Sequence, residues 1–297
     1  MKPYAWIVGF ICVLCSFAAP ARGGFGDSAQ DDFFARAKLI MSKFEIEIYT
    51  HLATAADRDE FIADFWKKRD PSPGSEENEF KDDFDKRVEF ANRWFNERGP
   101  GDSGWDSDRG RILLMLGFPD QREQMPMLNQ PRIKAAEIWT YQKFFLRLEF
   151  IDQEGVGQFR LEQWPLELLD AIEQVKQLGE PAGNKNYFRF KVVRDDAGLV
   201  IEIPLQAIVL EERGDAVRTA FAITADVYCD YVKLERLTLT REFVQSRAEF
   251  TARKSIIIAI PYSFPKAGKY FLDVVVEELV SGQRSREFVK FKRTGKK

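Results

Sequence analysis

The residues best suited to chemistry lie between Gly104 and Asp120, in the segment GWDSDRGRILLMLGFPD, and shortly after it. The carboxylate and indole side chains there belong to Trp105, Asp106, Asp108, Asp120, Glu137 and Trp139. Two carboxylates that face each other at roughly 5–10 Å can hydrolyse a glycosidic bond. One hypothesis is therefore a carboxylate-based hydrolase or a carbohydrate-binding protein. The spacing in sequence fixes no distance between Asp120 and Glu137.

The chain lacks the residues that other common kinds of active site require. His51 is the only histidine, and no nucleophile motif surrounds it, so a Ser-His-Asp triad has no support. A zinc site of histidine and cysteine is equally short of ligands, and no glycine-rich phosphate loop is present. We expect His51 to be an ordinary surface or core residue and Cys229 to be a buried small hydrophobe.

A calcium site is the one metal centre with some support. Asp102, Asp106 and Asp108 are close in sequence, and Ca²⁺ binds to carboxylate oxygens. Their spacing lacks the regular ligand ladder and the closing bidentate glutamate of a calcium loop. The neighbouring Arg109 and Arg111 also oppose a cation. We therefore expect no metal ion and no cofactor.

A structural role for the same segment is the main alternative. In this hypothesis Trp105 fills the gap between helices and a sheet, while Asp108 accepts hydrogen bonds from backbone N–H groups or arginines. Arg69 and Asp70 would join the network. Replacing Asp108 by alanine would then strand an arginine and cost on the order of 3 kcal/mol if the site is buried.

A ligand or peptide groove is the other alternative, since tryptophan and arginine are the usual anchors of recognition surfaces. Its rim would consist of Trp105, Arg109, Arg111 and Trp139. The full candidate motif, whether structural or binding, comprises Arg69, Asp70, Gly104, Trp105, Asp106, Ser107, Asp108, Arg109, Arg111, Pro119, Asp120, Glu137 and Trp139.

The elements that position these residues include several helices. Apolar residues at helical spacing predict helices over residues 31–41, 44–52, 57–69, 75–95 and 165–179. Asp57-x-x-Glu60 and Ser75 are the expected caps of the third and fourth, and Pro165 and Gly179 bound the fifth. The apolar side of the fifth helix is predicted to be Leu166, Leu169, Ile172, Val175 and Leu178.

A small antiparallel sheet is expected to pack on these helices. Its predicted strands are residues 111–116, 137–141, 144–151 and 158–163. The continuous apolar run Ile112–Leu116 indicates a buried strand. The polar segment Gln121–Lys134, with two prolines, indicates a mobile loop over the motif.

From Tyr187 onward, strand patterns recur at regular intervals with glycine-containing turns between them. They cover residues 187–193, 199–204, 208–211, 218–227, 234–243, 254–261, 268–276 and 284–292. Short strands at this spacing indicate a β-sandwich of the immunoglobulin-like sort, without the Cys…Trp…Cys pattern of antibody domains. The predicted fold class is α+β: a helical N-terminal region packed on a small antiparallel sheet, followed by an all-β immunoglobulin-like sandwich.

The motif resembles the GWxTD domain, a family of bacterial envelope proteins. Gly104, Trp105 and Asp108 match the residues that name the family, and Ser107 stands in place of its threonine. Further matches are Phe65-Trp66, Arg69-Asp70-Pro71, Asn78-Glu79, Arg87-Val88, Arg109-Gly110-Arg111, Gly117, Pro119-Asp120, Glu137-Ile138-Trp139 and Tyr141. The resemblance covers about Phe34 to Gln163. It implies a place in the envelope, but no activity and no set of catalytic residues.

The N-terminus has the form of a secretory signal. The apolar stretch Ala5–Phe17 is too short to span a membrane, and Ala19-Pro20-Ala21 offers a cleavage site. An uncleaved anchor helix and a lipid anchor at Cys15 are alternatives, and the bulky Val13-Leu14 disfavours the latter. We expect an exported protein, periplasmic or extracellular and either free or membrane-associated, with no transmembrane span after signal removal.

The length and net charge of the chain limit its number of domains and its classes of partner. A chain of 297 residues with 45% hydrophobic residues can form two cores. We expect a signal peptide at 1–21, a flexible N-terminus at 22–30, a GWxTD-like domain at 31–179, a linker at 180–186 and the sandwich at 187–297. A net charge of −3 argues against a nucleic-acid binder. The function expected is that of a non-enzymatic envelope protein acting through contacts with an envelope protein partner.

Overall fold

The computed structural model describes residues 28–72, 74–97, 99, 103–130, 133–178, 188–195 and 197–294. The expected signal peptide, the linker at 180–186 and Asp102 lie outside these residues. The predicted α+β class is confirmed, since helices and a small sheet are followed by a region composed almost entirely of antiparallel strands. Within the described ranges, no helix is both long enough and apolar enough to cross a lipid bilayer.

Four helices begin the described chain: α1 (Ser28–Ala37), α2 (Lys43–His51), α3 (Ala55–Arg69) and α4 (Glu79–Trp94). Residues 28–30 of the expected flexible N-terminus are therefore helical. The predicted caps of α3 and α4 are wrong. Thr54 caps α3 in a reciprocal pair with Asp57, and Asn78 caps α4. Two overlapping capping patterns precede α3, so the sequence did not show which one begins the helix.

The apolar run Ile112–Leu116 is a helix, not the predicted strand. Helix α5 (Asp108–Leu116) begins after Ser107, whose hydroxyl accepts a hydrogen bond from the Gly110 N–H at 3.0 Å. Every residue of the run is buried. A helix buried on all sides has a continuous apolar sequence, which periodicity cannot distinguish from a buried strand. Gly117, with a φ of 83°, ends the helix.

The N-terminal sheet is antiparallel in the order β1 (Gln121–Gln130), β2 (Ile133–Tyr141), β3 (Leu146–Asp152) and β4 (Arg160–Leu161). It has the predicted four strands, but its first strand is β1, in the segment predicted to be a mobile loop. Gln121 pairs with Thr140 and Gln124 with Glu137. The polar side chains of β1 suit an edge strand, which explains why its sequence looked like a loop.

Helix α6 (Leu166–Leu178) follows Pro165, as predicted. Its described buried residues are Leu168, Ala171, Ile172 and Val175. Leu166 and Leu169, both predicted on the buried side, are exposed instead. The first turn of α6 therefore presents apolar side chains to solvent.

The described residues of the C-terminal region form eight strands: β5 (Lys191–Arg194), β6 (Gly198–Pro204), β7 (Glu211–Arg213), β8 (Ala216–Cys229), β9 (Val232–Ser246), β10 (Ser255–Pro261), β11 (Gly268–Glu278) and β12 (Gln283–Arg293). One sheet has the order β10–β6–β5, and the other contains β12, β11 and β8, with β7 and β9 both paired to β8. The two sheets share one hydrophobic core. A short helix that the sequence did not predict, α7 (Arg247–Thr251), follows β9.

The N-terminal helices pack on the five-stranded sheet of the C-terminal region. Leu272 on β11 lies in the core between the two sheets, whereas its neighbour Phe271 lies in the N-terminal core. Phe44 of α2 stacks on Phe288 of β12, with ring centroids 5.1 Å apart. Because side chains alternate along a strand, one face of this sheet meets the second sheet and the other meets the helices.

Candidate functional site

Two glycines allow the motif to pack closely against α4 and against itself. A 3-10 turn at Gly104–Asp106 leads into α5. A Cβ atom on Gly104 would lie 2.0 Å from the Ala91 carbonyl oxygen, and one on Gly110 would lie 2.1 Å from the Gly104 carbonyl oxygen. A side chain at either position would therefore collide with backbone, so direct backbone contact joins the turn, α4 and α5.

Ser107 and Trp105 hold this turn in place. The Ser107 hydroxyl donates a hydrogen bond to the Gly104 carbonyl at 2.8 Å and accepts one from the Gly110 N–H. The Trp105 backbone N–H donates to the Asn92 side-chain oxygen at 3.2 Å. The indole of Trp105 is partly buried against the N-terminal core. Both residues therefore connect neighbouring elements of the backbone.

The two motif aspartates have separate partners. Asp108 accepts a hydrogen bond from the Leu161 N–H at 3.0 Å, which ties α5 to β4, and Arg160 lies 3.7 Å away. Asp106 accepts two hydrogen bonds from Arg111 at 2.8 and 3.1 Å, and this ion pair is partly exposed. The two carboxylates thus serve different local contacts.

Arg109 connects the motif to the sheet. Its Nε donates to Glu97 and its Nη1 donates to Glu137, each at 2.7 Å. The guanidinium lies over the rings of Phe95 and Phe159, at 4.6 and 4.1 Å from the ring centroids. Because Arg109 is buried, water screens these interactions little. We call the following residues the clasp: Glu97, Arg109, Arg122 and Glu137.

Glu137 is the centre of the clasp, and it is fully buried. Arg122 donates to both of its oxygens, Gln124 donates to Oε2 at 3.1 Å, and the Trp139 indole N–H donates to Oε1. Burial raises the pKa of this carboxyl, but the hydrogen bonds from Arg122 and Trp139 and the charge of Arg109 hold the pKa below its usual value. Glu137 is therefore an ionised carboxylate whose oxygens are occupied by neighbouring donors.

Of the four residues expected at the rim of a groove, Arg111 is exposed and Trp105 is half-buried, but the other two are buried. Trp139 is only 1% exposed, and its ring packs against Phe95 and Phe150. Arg109 is also buried, as part of the clasp. These two members of the expected rim are therefore inaccessible to a ligand.

Asp120 and Glu137 do not form an acid–base pair across a cleft. Asp120 is exposed and accepts a hydrogen bond from the Gln142 N–H at 2.7 Å, directly after the half-buried Pro119. Glu137 is enclosed by its arginines. One carboxylate thus lies on the surface and the other in the interior, so they cannot act together on a substrate.

Arg69 and Asp70 lie elsewhere in the molecule. Arg69, at the end of α3, donates to both oxygens of Glu45 at 2.9 Å and lies 3.8 Å from the Phe65 ring centroid. Asp70 accepts a hydrogen bond from the Ser72 N–H at 2.8 Å. Neither forms an ion pair with the clasp in the described part of the chain. The expectation that they extend the motif's network is wrong, because α3 directs Arg69 towards α2.

A second charged group, which the sequence did not predict, lies where α2 and α3 meet the sheet. We call it the interface cluster, and its members are Glu45, Lys68, Arg69, Asp226, Asp273 and Arg286. Arg286 donates to both oxygens of Asp273 at 2.7 Å and to Glu45 at 3.0 Å. Lys68 forms ion pairs with Asp226 and Asp273. Three cations and three carboxylates are thus paired, and none of these side chains is more than 11% exposed.

The cations of the interface cluster keep its carboxyls ionised in spite of their burial. Burial raises the pKa of Glu45, but the charges of Arg286 and Arg69 outweigh it and lower the pKa to about 2. Burial also raises the pKa of Asp273, and Arg286 and Lys68 hold that pKa well below its usual range. Glu45 and Asp273 are therefore ionised at neutral pH.

One sequence signal could have revealed this cluster. Asp226 and Asp273 each interrupt an apolar strand, in TADVY and FLDVV respectively. An acid in a strand buried on both faces is rarely left unpaired, so each position indicates a buried ion pair. The partners could not be identified, because Lys68 and Arg286 are distant in sequence.

His51 and Cys229 have the ordinary environments predicted for them. The ring of His51, an exposed residue, stacks on Tyr231 with ring centroids 4.0 Å apart. Cys229 is buried in the core of the C-terminal region, and burial raises the pKa of its thiol. A raised pKa disfavours the reactive thiolate at neutral pH.

Replacing Asp108 by alanine is expected to cost less than the sequence alone suggested. The Asp108 side chain is 24% exposed, and Arg160 is 53% exposed, so no arginine becomes stranded in the interior. Loss of the hydrogen bond to the Leu161 N–H should reduce the free energy of unfolding by about 1 kcal/mol, as measured by urea denaturation. Arg160→Ala is the control, expected within about 0.5 kcal/mol of wild type. A loss of about 3 kcal/mol for D108A would contradict this interpretation.

Comparison with known proteins places the motif within a recognised domain. Residues 34–176 match the family model described as the GWxTD domain. The matched residues include the motif, the clasp and the helical side of the interface cluster, and they end before the C-terminal sandwich. A comparison with curated proteins gives no match to the chain.

Proposed function

Because the chain is a GWxTD domain-containing protein, we propose that it is an exported, non-enzymatic protein of the bacterial cell envelope that acts through protein–protein contacts. The chemistry of the motif supports this proposal. Its charged side chains pair with one another or accept hydrogen bonds from backbone groups. A carboxylate-based hydrolase needs two carboxylates on one cleft, whereas Glu137 is enclosed by arginines.

Export is the part of the proposal that rests on the N-terminal sequence. The apolar stretch and the small residues at Ala19-Pro20-Ala21 are typical of a cleaved signal. Expression of the full chain in a bacterial host, followed by fractionation and N-terminal sequencing, tests it. We expect a mature chain that begins at residue 22 in the periplasmic or secreted fraction. Recovery of the uncleaved chain in the cytoplasm would contradict export.

The observation that carries the proposal of protein contacts is the exposure of Phe145. Its side chain is 95% exposed, and its backbone lies in the left-handed region with φ 50° and ψ 38°. This conformation costs a non-glycine residue roughly 1–2 kcal/mol. The chain thus bears backbone strain while gaining no burial of the aromatic ring. Such a combination favours a recognition surface over a purely structural turn.

Other exposed apolar residues come from the chain leading into α6. This helix packs beside the turn at Gln142–Phe144, which directly precedes Phe145. Trp164 is 56% exposed and Leu166 is 76% exposed. A pocket of about 220 Å³ lies next to both segments, lined by Arg147, Leu148, Glu149, Glu162, Gln163 and Pro165.

We call Phe145, Trp164, Leu166 and Leu169 the apolar surface. Exposed aromatic and aliphatic side chains beside a pocket are typical of a site that binds an apolar segment of another protein. The charged residues lining the pocket, Arg147, Glu149 and Glu162, would supply a polar rim around those anchors. The partner that fits is therefore an envelope protein with an exposed apolar segment.

Capture of a partner from an envelope extract tests this assignment. The bait is the mature chain, and the test variants are Phe145→Asn and Trp164→Ser. We expect a protein enriched by the wild-type bait to be reduced about tenfold or more with either variant. Ile257→Ser is the matched control, because Ile257 is an apolar residue on β10, in another sheet, whose exposure (64%) is close to that of Trp164. Equal capture by all four baits, or turnover of a substrate without any partner, would contradict the proposal.

Phe145→Asn also separates recognition from stability. Asparagine tolerates the left-handed conformation, and the exposed ring leaves no core contact to lose. We therefore expect the variant to be about 0.5–1 kcal/mol more stable than wild type while it captures less partner. Urea denaturation measures the difference. A less stable variant would mean that the Phe145 ring supports the fold, and its exposure would no longer indicate a recognition surface.

A further inference from the structure

The longest strand of the C-terminal region, β9, lies at a sheet edge. It pairs with β8 along one side, and among the described strands none pairs with it along the other. Its 15 residues therefore leave a row of backbone donors and acceptors that extends over about 50 Å. A long open edge of this kind is a template for pairing with another strand.

Two charged residues of β9, Glu235 and Arg241, distinguish this edge from an ordinary protected one. Both are exposed, and neither forms an ion pair with another described residue. They lie on the same face of the strand because their positions differ by six, an even number. The other charged residues of β9 are paired within the chain, and they are Lys233, Arg236 and Glu242.

We propose that a second copy of this chain pairs antiparallel with β9, around a two-fold axis that passes through Thr238. In this register Glu235 of one copy lies opposite Arg241 of the other, and the symmetry repeats the pair. Leu237 lies opposite Leu239 on the same face. The axis is perpendicular to the sheet, so the same face of each copy's sheet lies on the same side of the dimer. The two five-stranded sheets thus become one continuous sheet of ten strands.

Neighbouring registers satisfy the free charges less well. Moving the axis one residue towards the N-terminus places Lys233 opposite Arg241, which is repulsive. Moving it one residue the other way leaves both Glu235 and Arg241 opposite apolar residues. Of these three registers, only the one centred on Thr238 pairs both Glu235 and Arg241 with an opposite charge.

The charges of Glu235 and Arg241 also explain why the strand that pairs with β9 comes from a second copy of this chain. Charged residues on an edge usually prevent the addition of another strand. On β9 they select the partner, because a second copy presents the complementary charges in the complementary order, whereas an arbitrary strand does not. The paired strands would add about twelve backbone hydrogen bonds to these side-chain contacts.

Charge reversal in the mature chain tests the pairing by analytical ultracentrifugation. Glu235→Arg or Arg241→Glu alone replaces two attractive pairs per dimer by two repulsive ones, so we expect the dissociation constant of the dimer to rise roughly 30-fold. The double variant restores opposite charges and therefore the dimer. Both positions are exposed, so the melting of each monomer should be unchanged. A wild-type monomer at the highest soluble concentration, or a dimer that the single reversals do not weaken, overturns the proposal.

Cysteine substitution tests the register. Thr238→Cys places two thiols opposite each other with Cα atoms about 4.5–5.5 Å apart, which permits a disulfide. Thr240→Cys is the matched control, because it is the same residue on the same face but is separated from its symmetry mate by about 13 Å along the strand. We expect mild oxidation to give covalent dimers of T238C only. Equal crosslinking of both variants, or of neither, overturns the register.

Discussion

Replacing Arg286 by methionine is expected to destabilise the folded protein by about 4 kcal/mol at neutral pH. Arg286 donates to Asp273 at 2.7 Å and to Glu45 at 3.0 Å in the interior. Without it, Asp273 would keep only Lys68 and Glu45 would keep only Arg69 as a cationic partner. Urea denaturation of both proteins gives the difference in the free energy of unfolding.

The same variant is expected to respond differently to acid. In the wild type, the pKa of Glu45 is about 2 and that of Asp273 is also lowered, whereas unfolded carboxyls titrate near pH 4. A lowered pKa contributes stability that is complete above the unfolded pKa and is lost as the pH falls through the folded pKa. Wild-type stability should therefore fall between about pH 4.5 and pH 2. Because R286M lacks the cation that keeps these groups ionised, its deficit should shrink over the same range.

An exposed ion pair provides the control for this prediction. Arg247 pairs with Glu212, and the two side chains are 64% and 72% exposed. Arg247→Met removes a similar charge and side-chain volume, yet it should change the free energy of unfolding by no more than about 0.5 kcal/mol. Similar losses in the free energy of unfolding for R247M and R286M would show that the destabilisation in R286M does not depend on burial of the interface cluster.

Replacing Glu137 by leucine is the other substitution expected to have a large effect, of about 3 kcal/mol. Leucine fills much of the same volume but accepts no hydrogen bond. Arg109, Arg122 and the Trp139 indole N–H would each lose an acceptor, and both Arg109 and Trp139 are buried. Arg109 retains Glu97, so its charge is only partly stranded. Thermal and urea denaturation measure the loss.

The motif itself supplies the control for Glu137. Asp106 pairs with Arg111, and these side chains are 35% and 44% exposed. Asp106→Asn should therefore change stability by less than about 0.5 kcal/mol, although Asp106 lies inside the segment that names the family. If E137L is as stable as D106N but loses partner capture, then the clasp is a binding site and its structural interpretation fails.

The clasp and the interface cluster hold different parts of the molecule together. The clasp joins α5 to the N-terminal sheet, and the interface cluster joins α2 and α3 to the C-terminal sheet. Apolar contacts alone tolerate small rotations of one surface on another, whereas paired charges require particular positions. The two networks should therefore set the orientation between the apolar surface and the edge of β9, the two places where we propose that partners bind.

The sequence by itself determined the α+β class, the GWxTD domain and the positions of six of the eight strands described in the C-terminal region, whereas β5 and β7 overlap their predicted ranges only in part. These properties depend on local patterns, since a period of two residues or a glycine in a turn is visible in a short segment. The same patterns located α2 and α6 correctly. Ser107 could be recognised as a turn residue because its hydroxyl acts on backbone groups only three residues away.

Only the tertiary structure decided what surrounds each residue. The run Ile112–Leu116 is a helix, and because every residue of it is buried, its sequence lacks the periodicity that separates a helix from a strand. Leu166 is exposed because none of the elements that the structure describes covers its side of α6. Arg286 and Glu45 are paired across 241 positions of the chain, and no local pattern can specify such a pair. Contacts between distant residues are a property of the assembled core, so the charges could be read from the sequence but their partners could not.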